Sequence, residues 1–203
     1  MPKPGKRGRR VPDAEPVTTF VLFVEGDTEK EYFTHWARRL RGRVIINVDP
    51  DHGDPKHLVK LAVAEAKAGR ANKSGPPTFV WCVYDVDEHV HVVPATDKAW
   101  ANQVPVALSD PCFEIWLYLH RVDHTAPIHR HDLQRNTQTV VGCDKHIPEA
   151  IFDALLPLHE TATHRAIASY KRNFENDSLK PHDSNPSTNV WELTAALRAF
   201  DSE

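Results

Sequence analysis

The chain has 203 residues, 40% of them hydrophobic and 26% charged, so it can bury a packed core and is not a generally disordered polymer. Its formal net charge of −3 excludes a surface that attracts nucleic acid everywhere, while leaving room for local basic contacts. No apolar run approaches the roughly 20 residues that span a bilayer, no apolar stretch follows the basic N-terminus, and Cys82, Cys112 and Cys143 form no CxxC pair. A cytoplasmic chain without a membrane anchor is expected.

Residues 1–16 read as a disordered basic leader, either solvated or an arm on phosphate backbone. Thr18–Val24 is an uncharged β-branched and aromatic run between Pro16 and Gly26, which fits a buried parallel strand. A helix follows, with Thr28 and Glu31 at capping-box spacing, Tyr32, Phe33, Trp36 and Leu40 at helical spacing, and Gly42 to end it. Val44–Val48 is a second strand. Asp54 or Pro55 opens a second helix over Leu58, Leu61, Val63 and Ala66, closed by Gly69 and the stretch Asn72–Pro77. Thr78–Tyr84 is a third strand, running into Asp85 and Asp87. A helix around Thr96–Asn102, a strand Val104–Leu108 and a helix Cys112–His120 complete the alternation. In this last helix Asp110 can cap and Pro111 can take the first position.

Strands alternating with helices specify a mainly parallel sheet flanked by helices. The rhythm fades after residue 121. His124–Asp132 is polar and His-rich, and from Ile147 the pattern is helical, broken at Pro157 and at the loop Lys180–Pro186. The last piece places Val190, Leu193, Leu197 and Phe200 on one face. The expected organisation is the leader, an α/β core over 17–121, and a mainly helical C-terminal extension over 122–203 packed on it.

In an open parallel sheet, ligands bind beyond the C-terminal ends of the strands. Glu25 ends the first strand, and Asp85 and Asp87 end the third, with the two aspartates on one face because alternate residues of extended chain point together. Close carboxylates repel unless a cation lies between them, and hard oxygen donors suit Mg²⁺ or Mn²⁺. Gly26 permits a sharp turn straight after the acid. Glu29 is a further candidate ligand, although the charge of a first helical turn accounts for it equally well.

These residues carry a resemblance. Glu25-Gly26-Asp27-Thr28-Glu29 and Asp85-Val86-Asp87-Glu88-His89 resemble the two acidic motifs of TOPRIM-type nucleotidyl-transfer and hydrolase domains. With Ser109-Asp110-Pro111-Cys112-Phe113-Glu114-Ile115-Trp116-Leu117 and Asn185-Pro186-Ser187-Thr188-Asn189-Val190 behind them, the chain resembles the RloB-like family of bacteria and archaea from about residue 19 onward. The resemblance implies a TOPRIM-like fold and metal-dependent phosphodiester chemistry on DNA or RNA, within antiphage or restriction-linked defence. Glu25, Asp85 and Asp87 would be the catalytic set, and Glu25, Glu29, Asp85 and Asp87 the metal ligands. The family pattern is expected to carry Asn where this chain has Asp110, an added acid that either alters the metal site or caps a helix.

Glu114 lies among Phe113, Ile115, Trp116 and Leu117, so it is expected to be buried and either ion-paired or part of the site. Lys171 could contact phosphate or face solvent. His120, His124, His129 and His131 are too irregularly spaced for a zinc site to be expected. No Walker A motif occurs, so any ATP dependence must come from a partner ATPase of the AAA or ABC type. A homo-oligomer is compatible with the sequence. The alternatives to a nuclease are a catalytically silent TOPRIM-like module that binds nucleic acid or a partner, and a hydrolase of small phosphorylated nucleotides.

Overall fold

The computed structural model describes residues 17–49, 54–86, 91–174 and 184–201. The basic leader, Asp87 with its neighbours Glu88 and His89, and residues 180–183 of the C-terminal loop lie outside the described residues.

Four strands run in parallel: β1 (Thr19–Val24), β2 (Ile45–Asp49), β3 (Thr78–Asp85) and β4 (Val106–Asp110). A two-residue β5 (Ser187–Thr188) adds antiparallel to β4, giving the order β2-β1-β3-β4-β5. Pleat alternation divides the buried residues between two faces. Phe20, Leu22, Val24, Val83 and Ala107 belong to a core shared with α1 (Asp27–Arg39), α4 (Glu114–Leu119), α6 (Glu149–Leu155), α7 (His159–Phe174) and α8 (Val190–Arg198). Phe23, Val80, Cys82, Tyr84 and Val106 pack on the other face against α2 (Pro55–Ala71) and α3 (Val92–Ala101). This mostly parallel sheet flanked by helices is consistent with a TOPRIM-like α/β fold. Among the described residues no helix is long and apolar enough to cross a membrane.

The sheet order creates a crevice. From the adjacent ends of β1 and β3, the chain leaves to opposite faces, to α1 on one side and toward α3 on the other. Diverging connections at neighbouring strand ends leave an opening at the C-terminal edge, the usual ligand position in such sheets.

Several local expectations need correction. Gly26 is the N-cap of α1 and no side chain caps it, because the Thr28 hydroxyl and the Glu31 carboxylate are both engaged with other elements. Gly69 does not close α2, which continues to Ala71, and an added Cβ there would meet Thr78 Cβ at 3.5 Å, an ordinary van der Waals contact. Asp110 does not cap α4. It is the last residue of β4, joined to Pro111 by a cis peptide bond, and Phe113 is the N-cap instead. In the stretch that reads as featureless, α5 (Arg130–Val140) packs on α4 with Leu133 and Thr137 buried. The Asn185–Val190 motif is a clasp on β4 as well as a loop. Asn189 Nδ2 donates to Val106 O at 2.9 Å while its Oδ1 accepts from Leu108 N–H at 2.6 Å. Asn185 brackets Ile128 in the same way, with both bonds at 2.9 Å.

Candidate functional site

β1 and β3 are in register with Val24 opposite Val83, so Glu25, one residue further on, and Asp85, two residues further on, both emerge at the same sheet edge. The Glu25 amide donates to Val83 O at 3.1 Å, and the Asp85 amide donates to Glu25 Oε2 at 3.2 Å. The two acids are thus held by the strand ends themselves.

Two helices complete the cluster. Glu29 comes from the first turn of α1 and Glu114 from the start of α4; each is only 4% exposed. The helices are tied together at that level. Thr28 Oγ1 donates to Glu114 Oε1 at 3.2 Å, and one turn further on Trp116 Nε1 donates to the Tyr32 hydroxyl at 3.0 Å. Of the two expectations for Glu114, an ion pair is not present among the described residues, and its carboxylate lines the acidic cleft.

Gly26 is needed for a different reason from the one the sequence offers. Its φ of −119° is open to any residue, but a Cβ there would come within 2.6 Å of Glu29 Oε2. The glycine lets the Glu29 carboxylate fold back over the chain toward Glu25.

Glu25, Asp27, Glu29, Asp85 and Glu114 line one cleft of about 230 Å³, faced by Arg130, Gln134 and Lys145. Burial, reinforced by repulsion from Glu114, Glu25 and Asp27, pushes the Glu29 carboxyl up to about 8. Burial likewise raises Asp85 well above the usual carboxylate range, with Glu29, Glu114 and Glu25 adding to the effect and Arg130 opposing it. Asp85 Oδ1 is shielded from solvent and has no hydrogen-bond partner among the described residues. A shielded, unpartnered oxygen amid mutually repelling carboxylates fits a hard divalent cation, which would supply what the site lacks. Among the described residues, no group of three or more His, Cys, Asp or Glu side chains is already arranged to hold a metal ion.

The structure therefore brings Glu25, Glu29, Asp85 and Glu114 to one cleft, while Asp87 lies outside the described residues. Asp110 is buried at the same sheet edge but does not line the cleft. Lys171 is exposed on α7 and does not line it either. Sequence reasoning missed Arg130, Gln134 and Lys145. All three come from α5 and the loop after it, where weak hydrophobic periodicity hid the helix.

Fold and cleft together define an α/β protein of TOPRIM-like architecture with an acidic crevice at the β1–β3 switch point. The model of the RloB-like protein family matches residues 20–197, most of the chain, and the chain belongs to that family. No curated protein and no solved structure matches it.

Proposed function

We propose that the chain is a metal-dependent nuclease in which Glu25, Glu29 and Asp85, together with Asp87, hold Mg²⁺ or Mn²⁺ and water hydrolyses a phosphodiester of DNA or RNA. The observation that carries this reading is that five carboxylates, from the end of β1, the first turn of α1, the end of β3 and the start of α4, line one cleft in which Asp85 Oδ1 is shielded and unpartnered among the described residues. Such a cluster disfavours its own ionisation unless a cation joins it. When bound, the ion supplies charge neutralisation of the phosphate and of the oxygens that attack and leave.

The chain's own residues do the rest. Glu25 is held by the strand ends and lines the cleft, where it would accept or return a proton on the water oxygen. Thr28 orients Glu114, and Gly26 leaves the space in which Glu29 turns inward. Arg130 and Lys145 supply positive charge opposite the acids, where a phosphate would sit. The reading extends to a role in antiphage or restriction-linked defence, with ATP dependence supplied by a partner ATPase and self-association of the chain.

Labelled DNA, RNA and tRNA incubated with Mg²⁺, Mn²⁺ or EDTA, with and without an ATPase encoded alongside, test this. Metal-dependent cleavage by wild type, reduced at least about a hundredfold in folded Asp85→Asn, is the expected result. Undiminished cleavage by the variant would place the chemistry elsewhere. Partner or nucleic-acid binding with no cleavage by either protein would favour the silent-module reading.

A further inference from the structure

The acidic cleft does not end at its carboxylates. Lys145 lines it and also lines an adjoining cleft of about 450 Å³ that runs along α1 past Lys30, Thr34 and Arg38 to His146. Lys30, Thr34 and Arg38 are four residues apart and so share one helix face, opposite the face that Tyr32, Phe33 and Trp36 bury. Lys30, Arg38 and Lys145 are all exposed. Among the described residues Lys145 has no anionic partner, so its ammonium is available to a ligand.

The loop carrying Lys145 is fixed. Glu31 Oε1 pairs with His146 Nδ1 at 2.6 Å, Glu31 Oε2 accepts the Ile147 amide, and His35 Nε2 donates to Ile147 O at 2.7 Å. Three bonds from α1 thereby hold two consecutive residues after Lys145. Of the two acids that line this cleft, Glu31 is occupied in holding the Lys145 loop in place, and Asp27 is shared with the acidic cleft. The cleft on the α5 side is a weaker candidate, because its Arg135 already pairs with Asp132 and it includes Glu114 and Asp144.

We propose that nucleic acid reaches the acidic crevice along the α1 side, with Lys145 fixing the phosphate next to the site and Lys30 and Arg38 carrying the backbone beyond it. Glu31 is a positioning residue that acts through the 145–147 loop. This assignment rests on the nuclease reading for its substrate class, but binding tests it without cleavage.

The full chain is titrated with labelled single-stranded DNA and RNA in EDTA over a range of salt. Lys145→Ala is expected to weaken binding about tenfold and to reduce the slope of log affinity against log salt by about 0.7; Lys30→Ala/Arg38→Ala should reduce it by about 1.4. Lys67→Ala, on α2 across the sheet, should change neither. Glu31→Gln separates positioning from simple charge. Removing a negative charge beside the track should by itself strengthen binding, whereas freeing the Lys145 loop should weaken it. Weaker binding by folded Glu31→Gln is the expected outcome.

Wild-type affinity and slope in the Lys145 and Lys30/Arg38 variants would overturn the proposal, as would equal loss in Lys67→Ala or salt-independent binding by wild type. Failure of the nuclease reading looks different: no metal-dependent cleavage by wild type, with the track's contribution to binding intact.

Discussion

At the scale of single residues, the acidic site depends on one missing methyl group. Gly26 carries no side chain at the point where Glu29 folds inward, and its backbone conformation is ordinary. Gly26→Ala should therefore leave the fold nearly intact, at a cost of about 1 kcal/mol or less, while displacing the Glu29 carboxylate. Calorimetric titration with Mn²⁺ should show affinity reduced about tenfold or more in a variant whose melting temperature is within a few degrees of wild type. Unchanged Mn²⁺ affinity would remove Glu29 from the ligand set. Glu25 and Asp85 were legible from the sequence because strand ends in a parallel sheet share an edge. Glu114 was legible only as an anomaly, an acid in an apolar run; its place depended on how α4 packs on α1, which local sequence does not encode.

At the scale of elements, the most informative departure is the Asn185–Val190 motif. A two-residue strand is too short to leave a periodic signal, and the work of its asparagines is directed at distant backbone. Asn189 substitutes for a paired strand at β4, satisfying a carbonyl and an amide that would otherwise be orphaned at the sheet edge. Asn189→Ala should destabilise the protein by about 1–3 kcal/mol in urea denaturation. Metal affinity per folded molecule should be preserved, because the clasp lies outside the acidic cleft. A wild-type denaturation midpoint would show that water replaces the clasp without penalty. The helix α5 escaped notice for a related reason. It buries only Leu133 and Thr137, so its apolar stripe is too thin to read, yet it brings Arg130 and Gln134 to the site. The alternation of strands and helices up to residue 121 was readable because the elements there other than β2 bury apolar faces; β2 has no fully buried residue.

At the scale of the whole molecule, two buried groups of opposite tendency set the response to pH. His120 and His159 lie 5.5 Å apart, ring to ring, in the core; burial lowers them to about 4 and about 3. A lowered histidine contributes stability that is present above its unfolded value near 6.5 and is lost as pH falls toward the folded value. For His120 alone that amounts to roughly 3 kcal/mol. Glu29 runs the other way. Its carboxyl is raised to about 8, so its contribution is complete below about 4.5 and is lost as pH rises through 8. Between these limits the two trends oppose each other. With two histidines opposing one carboxyl, the melting temperature in EDTA should be highest near pH 6.5 and fall on both sides. Mg²⁺ should restore the alkaline limb but not the acid one, and Glu29→Gln should flatten the alkaline limb without metal. A melting temperature that stays level from about pH 6.5 to 8 in EDTA would contradict the strained acidic cluster.

The central claim is that the crevice at the ends of β1 and β3 binds a divalent cation through Asp85. The most direct test is a Mn²⁺ titration followed by electron paramagnetic resonance at slightly alkaline pH, comparing wild type with Asp85→Asn. The variant keeps the shape of the side chain and relieves repulsion, so it should fold at least as well as wild type. Saturable Mn²⁺ binding by wild type, weakened at least about tenfold in folded Asp85→Asn, is the predicted result. Equal Mn²⁺ affinity in the two proteins, or no saturable binding by wild type, would contradict it.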